Sequence, residues 1–319
     1  MWLFSLNSTT TKTLWLPEQV STFAHEVDSL FYFILYWSIF FFILVLVGAF
    51  YFTWKYKSRR KGLTSPLDHN AALEIAWTII PLLLTMVVFF WGAKTYLKMN
   101  IAPYNSIEVN VKAQKWFWTF TYKEGFTNTN ELVIPVNKPV KLIMESQDVL
   151  HSFYVPDFRV KMDVIPNRYM MLWFEATKVG QYDIFCTEYC GKSHSEMLGK
   201  VKVLSQSDYE EWLVTANVVD ESIPLVDLGK MIYNKNACYT CHSIDGSTVI
   251  GPSFKGIWGT TMKHVDGTTE LVDENYILES IIEPQKKIVE GYQGVMPSYK
   301  GILRDREIQG VIEYIKLLK

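Results

Sequence analysis

Four cysteines and six histidines carry most of the chemistry that this sequence of 319 residues can perform. Two of the cysteines belong to a short run that contains Cys186, Cys190, His194 and Met197. His151 lies 35 residues before the first of them. Two histidines, one cysteine and a weakly bound methionine are the ligands of a mononuclear copper site. Because a second thiolate is present here, the two sulfurs can bridge two copper ions, each completed by one histidine and one weak axial ligand.

Two other uses of these cysteines stay open on the residues alone. Cys186 and Cys190 could form a disulfide, because the orientation derived below places them in an oxidising compartment. They could also bind zinc, although a methionine among the ligands argues against that metal. Thiolate and thioether ligands are soft and favour copper over magnesium or calcium, so the pattern favours a dinuclear copper site.

The other two cysteines form the pattern Cys238-Tyr-Thr-Cys241-His242, which is typical of covalent c-type haem attachment. The two thiols add to the haem vinyl groups, and the adjacent imidazole is placed beneath the iron. A thiol-redox motif shares the two cysteines, but the histidine that follows favours haem. A methionine as the distal ligand raises the haem potential, and only Met262 and Met296 lie downstream.

Two long apolar segments near the N-terminus must hold these sites at a membrane. Residues 30–54 are 25 residues without a charge, and residues 75–93 are 19 more. At about 1.5 Å per residue they span roughly 37 and 28 Å, which is enough to cross a bilayer. Pro81 lies in the second segment, and membrane helices tolerate it. Buried core helices are the alternative, but a soluble helix rarely lacks a polar face for so long.

Basic residues between the two segments set the orientation. Five of them crowd this loop, and the first 29 residues carry one lysine and three acidic residues. The five are Lys55, Lys57, Arg59, Arg60 and Lys61. By the positive-inside rule the loop is cytoplasmic, so we expect both termini on the outer face. No basic start precedes a short apolar core, so we expect no cleaved signal peptide.

The middle of the chain is rich in strands. Residues 107–114 alternate between apolar and polar side chains, and the apolar positions then change phase from Trp116 onward. We attribute the phase change to a bulge. Further strand candidates, separated by glycine and proline, are Glu131–Ile134, Val140–Ser146, Tyr169–Ala176, Gln181–Cys186 and Gly199–Leu204. Because no helical pattern intervenes, we expect a small antiparallel Greek-key β-sandwich.

Composition and punctuation divide the chain into parts. Apolar residues make up 49% and charged residues 20%, which excludes a disordered chain, and a net charge of −2 gives no reason to expect nucleic acid as a partner. Residues 227–236 and 305–318 predict the first and last helices of a C-terminal domain. We therefore expect an extracytoplasmic segment at 1–29, a transmembrane hairpin at 30–97, the sandwich at 98–215, a polar linker at 216–225 and a helical domain at 226–319.

Several of these features together resemble subunit II of the haem-copper cytochrome c oxidases. They are the two-span hairpin, Glu74-Ile-Ala-Trp-Thr-Ile-Ile-Pro81, Trp116-Phe-Trp118, Val149-Leu-His151-Ser, Asp163-Val-Ile-Pro and the run from Cys186 to Met197. The resemblance covers residues 25–215 and implies a cupredoxin-like sandwich that holds the dinuclear copper centre CuA. Lys115 departs from the family pattern, because it separates Gln114 from the aromatic run. The quinol-oxidising branch of the superfamily lacks the copper cysteines, so the chain does not resemble that branch.

The resemblance also implies roles for single residues. The CuA ligands would be His151, Cys186, Cys190, His194, Met197 and the backbone carbonyl of Glu188. The Glu188 side chain would bind a Mg ion at the boundary with subunit I. Electrons would enter through Trp116, and Glu74 would lie at the mouth of a proton channel into subunit I. The alternative for Glu74 is a carboxylate that complements the helix N-terminus.

The C-terminal part resembles a small cytochrome c with an all-α fold over residues 222–319. Gly294-Val-Met296-Pro-Ser-Tyr299 resembles its distal loop, so we prefer Met296 as the second axial ligand, with Met262 and His264 in reserve. Gly251-Pro252 resembles its proximal loop. A multidomain membrane protein with a hairpin, a copper sandwich and a fused cytochrome c domain is typical of subunit II of bacterial caa-type oxidases.

This architecture implies a component of a respiratory terminal oxidase in the bacterial cytoplasmic membrane. An upstream quinol-oxidising complex or cytochrome c would supply electrons, which would pass from haem c to CuA and on to the oxygen-reducing subunit I. Subunit III would be a further partner, the spans would contact lipid, and the complex would couple the reaction to proton translocation. Neither span contains a histidine, so the chain cannot ligate haem a or a third copper.

Three other functions compete with this interpretation: a free membrane electron carrier, a copper storage or delivery protein, and a nitrous-oxide-reducing enzyme. An oxygen-consumption assay on the purified complex discriminates among them.

If the chain is an oxidase subunit, we expect the fused haem to dock over Trp116. A flexible linker of about a dozen residues spans only about 20 Å, and it holds the haem at an effective concentration of about millimolar. The competing idea makes the haem a peripheral relay and Trp116 ordinary core packing.

Overall fold

The computed structural model describes residues 13–57, 69–216 and 221–319. The chain divides into two compact units, Met1–Ile101 and Ala102–Lys319. The first unit consists of helix α1, Ala24–Lys55, and helix α2, Ala71–Asn100, so α1 begins before the predicted span. Both helices are long and apolar enough to cross a membrane, and their most apolar stretches are not buried by protein. Such surfaces are expected where lipid surrounds a helix whose backbone groups are all paired internally.

The two helices contact each other where α1 begins and α2 ends. The rings of Phe33 and Trp91 are 5.6 Å apart, and Lys98 Nζ lies 2.6 Å from the Glu26 carboxylate. The predicted orientation depends on the basic loop between the two helices. Residues 59–61 of this loop and the first 12 residues of the N-terminal segment lie outside the described residues. The orientation therefore remains a prediction.

The second unit begins with a two-sheet sandwich. Its strands are β1 Ile107–Gln114, β2 Phe117–Tyr122, β3 Thr127–Thr129, β4 Glu131–Pro135, β5 Pro139–Ser146, β6 His151–Val155, β7 Val160–Val164, β8 Met170–Glu175, β9 Gly180–Cys186 and β10 Leu198–Leu204. One sheet has the order β3-β2-β1-β5-β8 and the other β4-β10-β9-β6-β7. Side chains that alternate between buried and accessible along β1, β5 and β10 face a common core.

Two features of the sandwich differ from the prediction. The pairs β1–β5 and β4–β10 are parallel, so the expectation of a purely antiparallel sandwich was wrong. These partners are distant in sequence, and their long connections provide the crossover that parallel pairing requires. The predicted bulge was also wrong: Gln114 pairs with Phe117, and Lys115 with Trp116 forms a two-residue turn between β1 and β2. The phase of the apolar pattern changes there because the chain reverses direction.

The C-terminal domain is mainly helical. After α3 Gln206–Thr215, which closes the sandwich, come α4 Leu225–Lys235, α5 Glu274–Ile282 and α6 Asp305–Leu317. A short hairpin of β11 Thr261–Lys263 and β12 Thr269–Leu271 is an addition that the all-α expectation did not include.

The predicted first and last helices cross at two glycines. A Cβ atom at Gly229 would lie 1.9 Å from the carbonyl oxygen of Gly310, so the helices α4 and α6 can approach this closely only without side chains at the crossing point. The buried face of α6 then packs on the same core as Leu228 and Ile232. The expectation that these two helices cross is therefore confirmed.

The C-terminal domain packs directly on the sandwich within the second unit. The rings of Phe117 and Tyr299 stack with centroids 5.5 Å apart and planes 11° apart. Asn236 Nδ2 donates a hydrogen bond of 3.0 Å to Thr129 Oγ1. Residues 217–220 of the predicted linker lie outside the described residues, but Arg306 donates to the carbonyl oxygens at 221 and 223, so the end of the linker is bound to α6.

Candidate metal centres

Two neighbouring strands bring the predicted copper ligands together. Cys186 is the last residue of β9, and His151 is the first residue of β6, which pairs with β9. The chain then turns through Cys190, and a short 3₁₀ helix at His194–Glu196 leads it to Met197 just before β10. The strand ends fix the first two ligands, and the loop between β9 and β10 supplies the others.

The donor atoms of these side chains converge on the two sulfurs. Cys186 Sγ and Cys190 Sγ are 3.8 Å apart, which is far longer than the roughly 2.05 Å of a disulfide. The distances to them are 3.9 Å from His151 Nδ1 to Cys186 Sγ, 3.4 Å from His194 Nδ1 to Cys190 Sγ, 3.8 Å from Met197 Sδ to Cys190 Sγ, and 3.3 Å from the Glu188 carbonyl oxygen to Cys186 Sγ. Both cysteines are free, so the disulfide alternative is not the arrangement that the structure forms.

This donor set fits two copper ions. Each histidine lies beside a different sulfur, and a weak donor accompanies each sulfur: the Glu188 carbonyl on one side and Met197 on the other. His151 and Met197 are fully buried and Cys190 is 1% exposed, whereas His194 is half-buried, so most of the donor set is shielded from water. Soft sulfur ligands in such a set favour copper, and a thioether in the set argues against structural zinc.

The electrostatics of the site favour loss of the first thiol proton. A hydrogen bond between the two sulfurs lowers the pKa of Cys186 and raises that of Cys190, because the proton that remains is shared by the pair. Metal binding must displace that last proton, since thiolates are the ligands. Burial acts to lower the pKa of His151, but its hydrogen bonds to Asp148 and Cys186 outweigh burial and raise it.

Asp148 supports His151 from outside the ligand set. Its Oδ1 lies 2.7 Å from His151 Nε2, so a proton on Nε2 leaves Nδ1 free to face the sulfurs. Burial acts to raise the pKa of the Asp148 carboxyl, but hydrogen bonds from His151, Lys115 and Val149 outweigh it and lower the pKa. The residue therefore carries a negative charge beside the metal site.

The described residues do not form a cluster of ligands at the predicted magnesium site. The Glu188 side chain is half-buried and makes no ion pair with any residue that the structure describes. Within the described residues, His151, Cys186 and Cys190 are the cluster of histidine, cysteine and acidic ligands close enough to share an ion. The magnesium role of Glu188 remains a prediction.

The haem-attachment motif lines a deep apolar cleft in the C-terminal domain. Cys238 starts a 3₁₀ helix that follows α4, and Cys241 and His242 come directly after it. All three line the cleft, whose apolar walls include Ile250, Phe254, Ile257, Val272, Ile281 and Leu303. Burial raises the pKa of Cys238 to about 12 and that of Cys241 to about 11, so both are neutral thiols at pH 7.

The imidazole of His242 is oriented for axial ligation. Its Nδ1 donates a hydrogen bond of 2.7 Å to the carbonyl oxygen of Pro252, which leaves Nε2 free for a metal. Phe254 stacks on the ring at 4.6 Å, and burial lowers the pKa of His242, so the ring stays neutral. A Cβ at Gly251 would lie 2.7 Å from the imidazole Cε1, so only glycine leaves room for the ring. This geometry fits c-type haem.

The three candidates for the second axial position separate clearly. Met296 lines the same cleft as the attachment motif, whereas Met262 lines a different surface depression beside β11. His264 is 1% exposed, its Nδ1 lies 3.1 Å from Thr268 Oγ1, and it does not line the cleft. Of the three, only Met296 lines the same cleft as the attachment motif.

The sandwich contributes one wall of this cleft. Lys115, Trp116 and Phe117, the turn residues and the first residue of β2, line it together with the attachment motif. Trp116 is 6% exposed, and its Cζ2 lies 3.2 Å from the position of a Cβ at Gly191. Gly191 follows the copper-site residue Cys190, so the Trp116 ring lies between the haem cleft and the copper loop.

Glu74 lies in the other unit, in the first turn of α2. Its carboxylate accepts a 3.2 Å hydrogen bond from the backbone N–H of Asn70, and Asn70 Oδ1 accepts one from the N–H of Leu73. These two bonds satisfy N–H groups at the helix start. They support the helix-capping alternative, and the channel role stays a prediction.

Four residues that the structure places at the two sites were not predicted from the sequence to act there. Asp148 precedes His151 by three residues, and an acidic residue so close to a ligand was a signal that could have been read. Gly191 follows a ligand and has a φ of +123°, which only glycine adopts readily. Phe117 and Tyr299 are far apart in the sequence, so nothing local indicates that they stack.

Comparison with known proteins assigns the three parts of the chain to family models. Residues 9–94 match the transmembrane domain of cytochrome c oxidase subunit II, and residues 124–204 match its periplasmic domain. Residues 226–319 match cytochrome c.

Curated relatives of this chain are named as oxidase subunits. Cytochrome c oxidase subunit 2 of Alkalihalophilus pseudofirmus is 31% identical over 291 residues, covering 87% of this chain and 83% of the relative. The subunit of Cereibacter sphaeroides is 29% identical over 223 residues, covering 55% of this chain and 74% of the relative. Among solved structures, the periplasmic domain of subunit II of cytochrome oxidase from Bradyrhizobium japonicum is 30% identical, covers 36% of this chain and 96% of that one, and gives a TM-score of 0.35.

Proposed function

Since the chain belongs to the cytochrome c oxidase subunit 2 family, we propose that it is the subunit through which electrons enter a respiratory terminal oxidase. Membership makes it a component of a haem-copper oxidase, with subunit I as a partner and with domains outside the membrane. We propose the finer statement that electrons pass from haem c to CuA and then to subunit I. The observation that carries it is that residues of the copper sandwich form a wall of the haem cleft.

The copper pair would be held by the six donors described above: His151, Cys186, Cys190, His194, Met197 and the Glu188 carbonyl. When bound, CuA would supply one-electron redox chemistry. The chain's part is to hold the donors in place and largely out of water. Strand pairing fixes His151 and Cys186, and Met197 and Cys190 are buried.

Haem c would be bound through Cys238 and Cys241, with His242 and Met296 as axial ligands. The neutral His242 ring donates to Pro252 and presents Nε2, and the Gly251 backbone leaves space for it. Met296 is placed by its backbone, because its carbonyl accepts a 3.0 Å hydrogen bond from Gln285 Nε2. A methionine ligand raises the reduction potential of a haem. The haem can then donate electrons to oxidised copper if the reduction potential of CuA is similar.

Trp116 provides the route between the two sites in this proposal. Its ring is packed between the cleft and Gly191, and its buried Nε1 has no hydrogen-bond partner among the described residues. Docking of the two domains is fixed by the Phe117–Tyr299 stack and the bond from Asn236 to Thr129. Transfer between the sites would then be intramolecular, because the sandwich and the haem domain already share an interface.

The remaining roles follow from family membership and are proposals as well. Glu74 would admit protons to subunit I, Glu188 would share a Mg ion with it, and the complex with subunit III would translocate protons. Both termini and both metal domains would lie on the periplasmic face of a bacterial cytoplasmic membrane, with electrons supplied by a quinol-oxidising complex or cytochrome c. The domain limits predicted above, with a linker at 216–225, belong to the same proposal.

Flash reduction of the assembled oxidase tests the proposed route. Haem c is reduced by a light pulse, and oxidation of haem and reduction of copper are followed optically. We expect the rate to be independent of protein concentration, and we expect Trp116→Leu to slow it strongly while both metal spectra are retained. Phe126→Leu is the matched control, since Phe126 is an equally buried aromatic residue of the sandwich that does not line the cleft. An unchanged rate in Trp116→Leu would remove Trp116 from the path.

A further inference from the structure

One carboxylate touches both the copper site and the wall of the haem cleft. Asp148 lies in the loop between β5 and β6. Its Oδ1 lies 2.7 Å from His151 Nε2 and accepts a 2.6 Å hydrogen bond from the backbone N–H of Val149. Its Oδ2 accepts a 2.8 Å hydrogen bond from the backbone N–H of Lys115. The two oxygens therefore face two different parts of the molecule.

The contact with His151 decides which ring nitrogen can reach a metal. With Nε2 protonated and donating to Asp148, the lone pair resides on Nδ1, which is the nitrogen nearest the sulfurs at 3.9 Å from Cys186 Sγ. His151 is fully buried, and the Asp148 carboxylate is the acceptor that faces its Nε2. Carboxylates in this position orient ligand histidines and strengthen them as donors.

The contact with Lys115 connects the same carboxylate to the haem side. Lys115 is the first residue of the turn between β1 and β2, and that turn lines the cleft of the attachment motif. The bond from its N–H therefore ties the cleft wall to the loop that supports His151. Val149 closes the loop onto the same carboxylate and limits its freedom to rotate.

We propose that Asp148 is a positioning residue that orients His151 for metal binding and forms a hydrogen-bonded link between the copper site and the wall of the haem cleft. This link runs from the backbone of Lys115 through the carboxylate to the imidazole, and it lies beside the packed contact of Trp116 with Gly191. The inference rests on the proposed function, because the link matters only if electrons cross from the cleft to the copper site.

Asp148→Asn separates the two halves of the link without changing size. The side-chain amide of asparagine has one acceptor oxygen, and its nitrogen cannot accept a hydrogen bond. Facing the oxygen toward His151 and Val149 keeps two hydrogen bonds, whereas facing it toward Lys115 keeps one. We therefore expect Asp148→Asn to retain the copper spectrum and to lose the bond to Lys115. Asp148→Ala loses every bond, so copper should bind about 10- to 100-fold more weakly to the copper-free protein, with a changed spectrum.

The charge effect and the link effect have opposite signs in Asp148→Asn. Removing a negative charge beside copper favours the reduced metal, so it raises the copper potential and by itself accelerates transfer from the haem. Loss of the link slows transfer. A slower flash-induced transfer together with a raised copper potential, in the assembled oxidase, is therefore the expected result. Glu145→Gln is the matched control, because Glu145 lies three residues earlier, pairs with Lys112 and does not contact His151.

Two results would overturn the inference. The first is a transfer rate in Asp148→Asn that is equal to or above the wild-type rate. The second is copper affinity and spectrum in Asp148→Ala that match Glu145→Gln. If either occurs while Trp116→Leu slows transfer, the link fails and the proposed function stands. If Trp116→Leu and both Asp148 variants leave the rate unchanged, the proposed route itself fails.

Discussion

Replacing Gly191 by alanine tests the contact between Trp116 and the copper loop. The new Cβ would lie 3.2 Å from Trp116 Cζ2, which is closer than an ordinary carbon contact, and 3.5 Å from its Nε1. The backbone φ of +123° adds strain of about 1–3 kcal/mol for a residue with a side chain. Trp116 is nearly buried, so relief requires either the ring to move toward the haem cleft or the loop at Cys190 to retreat.

A second glycine of the sandwich provides the matched control. Gly125, in the turn between β2 and β3, has a φ of +89°, and a Cβ there would meet nothing within 4 Å. Gly125→Ala therefore brings backbone strain of the same class, about 1–3 kcal/mol, without a clash. The difference between the two variants isolates the effect of the Trp116 contact from that of the backbone.

Thermal unfolding, the copper spectrum and flash-induced transfer measure that difference in the assembled oxidase. Both variants should unfold at lower temperature, by about 2–4 °C for each kcal/mol lost. Only Gly191→Ala should shift the copper spectrum and change the transfer rate. If Gly191→Ala matches Gly125→Ala in all three measurements, the contact of Trp116 with the copper loop does not affect the copper site. The proposed electron route through that contact is then refuted.

Two further substitutions test the roles of single residues. Met296→Ala should leave the haem covalently attached but lower its potential in a redox titration, because a thioether ligand that raises the potential is lost; if Met262→Ala does this instead, the axial assignment is wrong. Glu74→Gln keeps an oxygen that can accept from Asn70 N–H but removes the ionisable group, so it should assemble normally and slow oxygen consumption, and wild-type turnover in Glu74→Gln would contradict the channel role.

The ligand sets could be predicted because their signals are local. Cys186, Cys190 and Met197 lie in one short loop, and their chemistry follows from residue type and spacing. Strand alternation likewise predicted β1, β5 and β9, since burial on one face imposes a period of two. These patterns depend on each segment alone, so no knowledge of the tertiary structure was needed.

What the sequence could not provide are contacts between distant segments. The bond from Lys115 to Asp148 joins residues 33 positions apart, and the stack of Phe117 on Tyr299 joins two domains. The phase change at Trp116 was a correct signal with a wrong interpretation. A bulge and a two-residue turn both shift the apolar phase, and only strand pairing distinguishes between them.

The turn between β1 and β2, with the first residue of β2, contacts both candidate metal sites. Three consecutive residues have three different partners: the backbone of Lys115 donates to Asp148, the ring of Trp116 packs on Gly191, and the ring of Phe117 stacks on Tyr299. The first two partners belong to the loops of the copper site, and the third belongs to the haem domain. Because the chain reverses at this point, the three residues cannot shift independently. A displacement of the haem domain would therefore act on the copper loops through the backbone of one turn, so the docked arrangement, rather than a flexible tether, sets the distance between the sites.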